Sequence, residues 1–129
     1  MQDNLTKKLV QTYPLTYAKS GRYFECDKGW YKLIHSVSQK LEALIAKLPP
    51  KQRKQCYVIQ VKEKFARLRI YMSYPTDEMW NILSQAENDS DKVCEGCGKP
   101  GKKRWITLWM KTLCGACTKH YKERIDHLE

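Results

Sequence analysis

From Asp27 onward, apolar side chains fall at Trp30, Leu33, Ile34, Val37, Leu41, Leu44, Ile45 and Leu48, the i, i+3, i+4, i+7 spacing of one helical face. Asp27 stands where an N-cap accepts free amides, and Pro49-Pro50 ends the stripe because proline has no amide proton to continue a helix. This stretch is expected to be the central helix. Ahead of it, NLTKKLVQTYPLTYA (4–18) predicts a shorter helix from Leu5 to about Thr12, stopped by Pro14.

The period changes at Cys56. CYVIQVKEKFARLRIYMSY is rich in β-branched and aromatic residues and predicts two strands, about 56–62 and 66–74, joined near Glu63-Lys64-Phe65. Alternation in the second strand puts Ala66, Leu68, Ile70 and Met72 on a core face and Arg67, Arg69 and Tyr71 on a basic one. Thr76 then offers a cap to a helix whose first turn carries Asp77 and Glu78 and whose apolar face is Met79, Ile82, Leu83 and Ala86. The polar run ENDSDK (87–92) breaks that pattern and is the expected boundary of an α+β domain over 1–90.

Residues 91–129 form a second unit around Cys94-x2-Cys97 and Cys114-x2-Cys117, separated by sixteen residues. Two residues between thiolates let one tight turn present both sulfurs to a tetrahedral ion, and Gly96 and Gly98 permit the backbone of such a knuckle. RWITLWMKTL predicts a hairpin that carries Cys114 back beside Cys97, and the last helix, Gly115 to about Leu128, starts at the second pair. Knuckle, hairpin and helix make a treble-clef arrangement, and four cysteines close the shell of one structural Zn2+ rather than leave a position open for catalysis. His120 is the alternative fourth ligand. The segment is small enough that the metal is expected to stabilise its fold.

Composition narrows the function classes. The 129 residues carry a formal charge of +10, with 15 basic against 9 acidic residues over 1–90 and 9 against 5 over 91–129, so an anionic partner is expected. Four thiolates on one zinc lower the total to about +8. No apolar run approaches the ~20 residues that cross a bilayer, the first residues lack the apolar core of a signal peptide, and the paired cysteines suit a reducing compartment. No membrane role and a cytoplasmic location are expected. Cys26 and Cys56 are left over, open between buried thiols, a reactive Cys26 and a mutual pair.

ECDKGWYKLI (25–34), QVKEKFARLRIYM (60–72) and CEGCGKPGKKRWITLWMKTLCGAC (94–117) together resemble an uncharacterised family of small bacterial and phage proteins. Those carry a GWxxLI helix start, a VKEKFGxLRFY-like hairpin and a CExCGxPG…TLCxxC zinc module. The resemblance implies a phage or mobile-element context and no activity. Ala66 stands where the family tends to have glycine.

Catalysis finds little support. No glycine-rich phosphate loop or nucleophile elbow is present, Lys99 to Leu113 lacks the histidine of HNH-type nucleases, and His35 and His127 read as structural or surface residues. Arg67, Arg69, Lys102, Lys103 and Arg104 are instead expected to contact phosphates, with Trp105 and Trp109 stacking on bases. A non-enzymatic protein that binds DNA or RNA is the leading expectation. An adaptor or inhibitor that docks on an acidic protein is the second.

Overall fold

The apolar stripe folds as predicted, with a different start. Residues 1–19 and 24–126 are described by a computed structural model. In it the Asp27 carboxylate accepts the Lys28 N–H at 2.7 Å and caps a 3₁₀ turn, Lys28–Trp30, that leads into α2 (Tyr31–Ala46). The first helix, α1, is Asp3–Thr12, and β1 is the short Phe24–Glu25. Ile34, Val37, Leu41 and Ile45 of α2 are buried with Trp30, Leu9 of α1, and Tyr13 and Tyr17. The double proline does more than stop α2: Pro50 occupies the first position of a single-turn helix, α3 (Pro50–Arg53), where its missing N–H costs nothing.

The predicted hairpin is β2 (Tyr57–Lys64) and β3 (Arg67–Ser73), antiparallel, with β1 added in parallel on the far edge of β2. That third strand had no signal, because two residues are too few to show a period. Phe65 and Ala66 form a two-residue turn with φ of 52° and 65°, both left-handed, which suits the twist of a tight hairpin and is the geometry glycine would adopt without strain. A bulge at Ile59 shifts the register between Val58 and Gln60.

Thr76 accepts the Met79 N–H and starts α4 (Asp77–Ser90), which packs Met79, Leu83 and Ala86 against α2 and β3. The first four residues of the polar run 87–92 belong to α4, which ends at Ser90. Glu87, Asn88 and Asp91 of that run meet the strand arginines, and Ser90 accepts the Leu68 N–H at 3.0 Å. The remaining elements are β4 (Lys102–Ile106), β5 (Trp109–Leu113) and α5 (Gly115–Asp126), with a second small core of Cys94, Ile106 and Leu113 against Tyr121 and Ile125. The fold is α+β, as expected. Among the described residues no helix is long and apolar enough to cross a membrane. His127 lies outside the described residues.

Neither leftover thiol is exposed. Cys56 is buried with its Sγ 3.3 Å from Met79 Sδ. Cys26 is buried as well, and burial pushes its thiol up to about 12, so the alternative of a reactive Cys26 is corrected. Neither is in a disulfide.

Candidate metal centre and the surface around it

Cys94 to Gly101 fold as a knuckle for local reasons. The Gly98 N–H donates to Cys94 O at 2.9 Å, the Cys94 N–H donates to Lys99 O at 2.8 Å, and Gly98 holds φ of +85°, which L side chains rarely adopt. The β4–β5 hairpin returns the chain so that Cys114 lies beside Cys97, Sγ to Sγ 3.7 Å. Cys117 follows in the first turn of α5, and its N–H donates to Cys114 Sγ at 3.4 Å. All four sulfurs lie within 4.8 Å of one another. Thiolates about 2.3 Å from a common ion stand about 3.8 Å apart along a tetrahedral edge, so the donor set fits a metal held by Cys94, Cys97, Cys114 and Cys117. His120 is exposed on α5 and is not among the grouped ligands.

The electrostatics favour thiolate at one end of the site. The Cys117 amide, at the start of a helix, pulls Cys114 down to about 6. Burial and the neighbouring Cys114 sulfur push Cys117 up, since unscreened thiolates cannot all ionise together. A cation removes that conflict.

The centre is fastened to the α+β body by contacts that no motif announced. Gly29 N–H donates to Glu95 O at 2.7 Å, and a Cβ on Gly29 would stand 2.2 Å from Cys94 O and 2.3 Å from Glu95 O. The knuckle backbone thus rests directly on Gly29. Trp30, wholly buried, donates its indole N–H to Val93 O at 2.9 Å. Thr112 Oγ1 donates to Ala66 O at 2.7 Å, and the Tyr121 hydroxyl bonds to the Asp27 carboxylate.

Glu95 sits in this junction with 2 % of its surface exposed. One carboxylate oxygen accepts the Asp27 N–H at 3.0 Å, and the other is 3.3 Å from Lys111 Nζ, which lies equally far from Glu63. Burial raises the Glu95 pKa, and Lys111 opposes that rise. Burial works against the Lys111 charge, but Glu95 and Glu63 outweigh it and hold its pKa above normal. Glu95 and Lys111 carry no periodic signal in the sequence, and Glu63, between two lysines, reads there as a solvated turn residue, whereas it lies in β2 and pairs with Lys111.

The basic face departs from expectation. The strand arginines and the metal hairpin are neighbours, but acids from the end of α4 stand between them. Arg67 pairs with Glu87 and Asp91 at 3.0 Å each and donates to Asn88 at 2.6 Å. Arg69 pairs with Glu87 at 2.7 Å, and Lys103 with Asp91 at 3.5 Å. Arg104 turns back to donate to Leu113 O at 3.0 Å. Of the five predicted phosphate contacts, Arg67, Arg69 and Lys103 are thus in internal ion pairs, and Lys102 remains exposed without one among the described residues. Trp105 and Trp109 are both exposed, as stacking would require.

These features define a small α+β protein with a four-cysteine metal module docked on its central helix and hairpin turn. Comparison of the chain with protein-family models, with curated proteins and with solved structures gave no match, so its functional reading rests on its own residues.

Proposed function

We propose that the chain is a zinc-stabilised, non-enzymatic accessory protein that binds nucleic acid, of the kind phages and mobile elements encode. Four cysteines at tetrahedral spacing with no open position suit a structural Zn2+. The observation that carries the nucleic-acid reading is the zinc hairpin itself. It displays Trp105 and Trp109 to solvent on a chain of net charge +10, with Lys64, Lys99 and Lys102 exposed and outside the ion pairs among the described residues. Lys64 lines the same groove as the two rings, and a cation beside flat rings serves a phosphate and a base together.

Titration of the metal-loaded protein against labelled single- and double-stranded DNA and RNA across a range of salt tests this. Binding tighter than ~10⁻⁶ M at physiological salt, with a preference among the four, is the expected result. Weak binding that is equal for all four and vanishes with salt would overturn it. A second reading, an adaptor or inhibitor that docks on an acidic protein, draws on Leu108, which is largely exposed at the hairpin tip. Co-purification of one stoichiometric protein partner that survives nuclease treatment favours that reading.

A further inference from the structure

Two hairpin tips that are far apart in sequence meet at one surface. The β2–β3 turn brings Phe65, 74 % exposed, and the β4–β5 hairpin brings Trp105, Leu108 and Trp109 at 63 %, 88 % and 72 %. With Met110, Lys64 and the Glu63–Lys111 ion pair they line a predominantly apolar groove of about 510 Å³. That volume falls within the ~300–1,000 Å³ of sites that take a small organic ring system. Both tips hold side-chain residues at positive φ, Phe65 at 52° and Thr107 at 56°. Backbone held in sparsely populated regions is often found where a surface is shaped for a ligand.

We propose that this groove is a base-stacking site specific for unpaired nucleotides, so that the protein recognises single strands in preference to duplex. The proposal deepens, and rests on, the nucleic-acid reading above. Duplex bases already stack on one another and offer no free faces, whereas unpaired bases do. Duplex affinity would have to come from phosphate contacts, yet Arg67, Arg69 and Lys103 are held by Glu87 and Asp91. Charge favours a polyanion over a second copy, because two zinc-loaded chains of about +8 repel; within the groove Lys111 is held by Glu63 and Glu95, so Lys64 is the cation there outside the ion pairs among the described residues. Lys64, exposed at the groove wall with its Nζ 5.7 Å from the Phe65 ring centre, is placed to meet a phosphate beside a stacked base.

The test follows tryptophan fluorescence of the zinc-loaded full chain during titration with oligo-dT, oligo-U, a duplex of equal length, and polyglutamate. The single strands should quench the fluorescence and bind at least tenfold tighter than the duplex. The slope of log K against log salt should be about −0.7 to −1.4, one or two phosphates, rather than the about −3.5 of five contacts. Trp105→Ala with Trp109→Ala, which removes the groove's fluorophores and is therefore read by anisotropy of a labelled oligonucleotide, should weaken single-strand binding by roughly tenfold or more, since each stacked base contributes about 5- to 150-fold. Phe65→Asn, which suits the left-handed turn and so preserves the hairpin, should weaken it as well.

Unchanged single-strand affinity in both variants, or equal affinity for duplex, would overturn the groove assignment while leaving nucleic-acid binding in place. No binding of any nucleic acid would overturn the functional reading and the groove with it. Quenching by polyglutamate equal to that by oligo-dT would assign the groove to an acidic protein. A dimer in sedimentation that the tryptophan substitutions dissolve would assign it to a second copy.

Discussion

Replacing Lys111 with methionine isolates the charge that holds the metal module against the body. Methionine keeps most of the side-chain volume and removes the ammonium that lies 3.3 Å from both Glu63 and Glu95. The Glu63 side chain is one-fifth exposed and can turn to water, but the Glu95 side chain is 3 % exposed and cannot. Removing one partner of a buried pair costs about 3–5 kcal/mol. The Asp27 N–H still serves one Glu95 oxygen, so the lower end, about 3 kcal/mol at pH 7, is expected. Urea unfolding of the metal-loaded protein measures it, and a fall in Tm of roughly 10 °C should accompany it. Glu95→Gln keeps an acceptor for Asp27 and needs no counter-charge, so in that background Lys111→Met should cost under about 1 kcal/mol. The deficit also depends on pH. The raised Glu95 pKa rises further without Lys111, and an acid whose folded pKa exceeds its unfolded value destabilises the fold when ionised, fully above the folded pKa and not at all below the unfolded value near ~4.3. The deficit must therefore shrink as pH falls from 7 toward about 4.5. Lys111 itself is a base with a raised folded pKa, so its stabilisation is complete below about 10.5 and is lost as pH climbs through the folded value. A cost below about 0.5 kcal/mol at pH 7, or the same cost with Gln at position 95, would refute a charge-based junction.

Gly29→Ala places a methyl within 2.3 Å of two carbonyl oxygens of the knuckle backbone, which has no flexible end to give. It should lower stability by about 3 kcal/mol in denaturant unfolding, while metal content by mass spectrometry stays at one ion per chain. Removing the metal with a chelator, or Cys97→Ser, should release that ion, and hydrogen exchange should then report lost protection over 94–126 before the α2 and β2–β3 core opens. Arg67→Ala with Arg69→Ala should cost about 1–2 kcal/mol by unfolding, because partly exposed network pairs contribute modestly, and should leave the salt slope of nucleic-acid binding unchanged. Iodoacetamide at pH 8 should leave Cys26 and Cys56 unmodified in the folded, metal-loaded chain and react with both in denaturant, as read by intact mass.

What the sequence made legible was periodic or punctuated. The α2 stripe, the Thr76 cap and the four-cysteine spacing each repeat or bracket a pattern, so hydrophobic burial and metal geometry translate them directly into elements. The ligand set followed in the same way, as did the hairpin that joins its halves. Pairings between distant residues were not legible. Arg67 and Arg69 read as a basic face because their neighbours in sequence are apolar, and the Glu87 and Asp91 that neutralise them lie eighteen or more residues on, in a run that read as a domain boundary. Glu95 read as a knuckle residue because a buried charge shows itself only with its partner, and Lys111 is on another strand. Net charge could suggest an anionic partner but not how much of that charge was free.

The contacts at the junction also give a physical reason why three separated stretches go together in one chain. Gly29 and Trp30 come from the helix-start stretch 25–34, Glu63 and Ala66 from the hairpin stretch 60–72, and Glu95, Lys111 and Thr112 from the cysteine stretch 94–117. Each of the first two supplies groups that the third satisfies: Gly29 N–H to Glu95 O, one Glu63 oxygen to Lys111, Ala66 O to Thr112. A glycine at position 29 lets the metal knuckle approach to backbone contact, and the left-handed turn at 65–66 aims its carbonyl at β5. The turn that makes this bond also carries Phe65 into the groove beside Trp105. Docking the metal module therefore sets the spacing of the two tips. Loss of the metal should separate them, and a groove assembled from both would lose its ligand before the body unfolds.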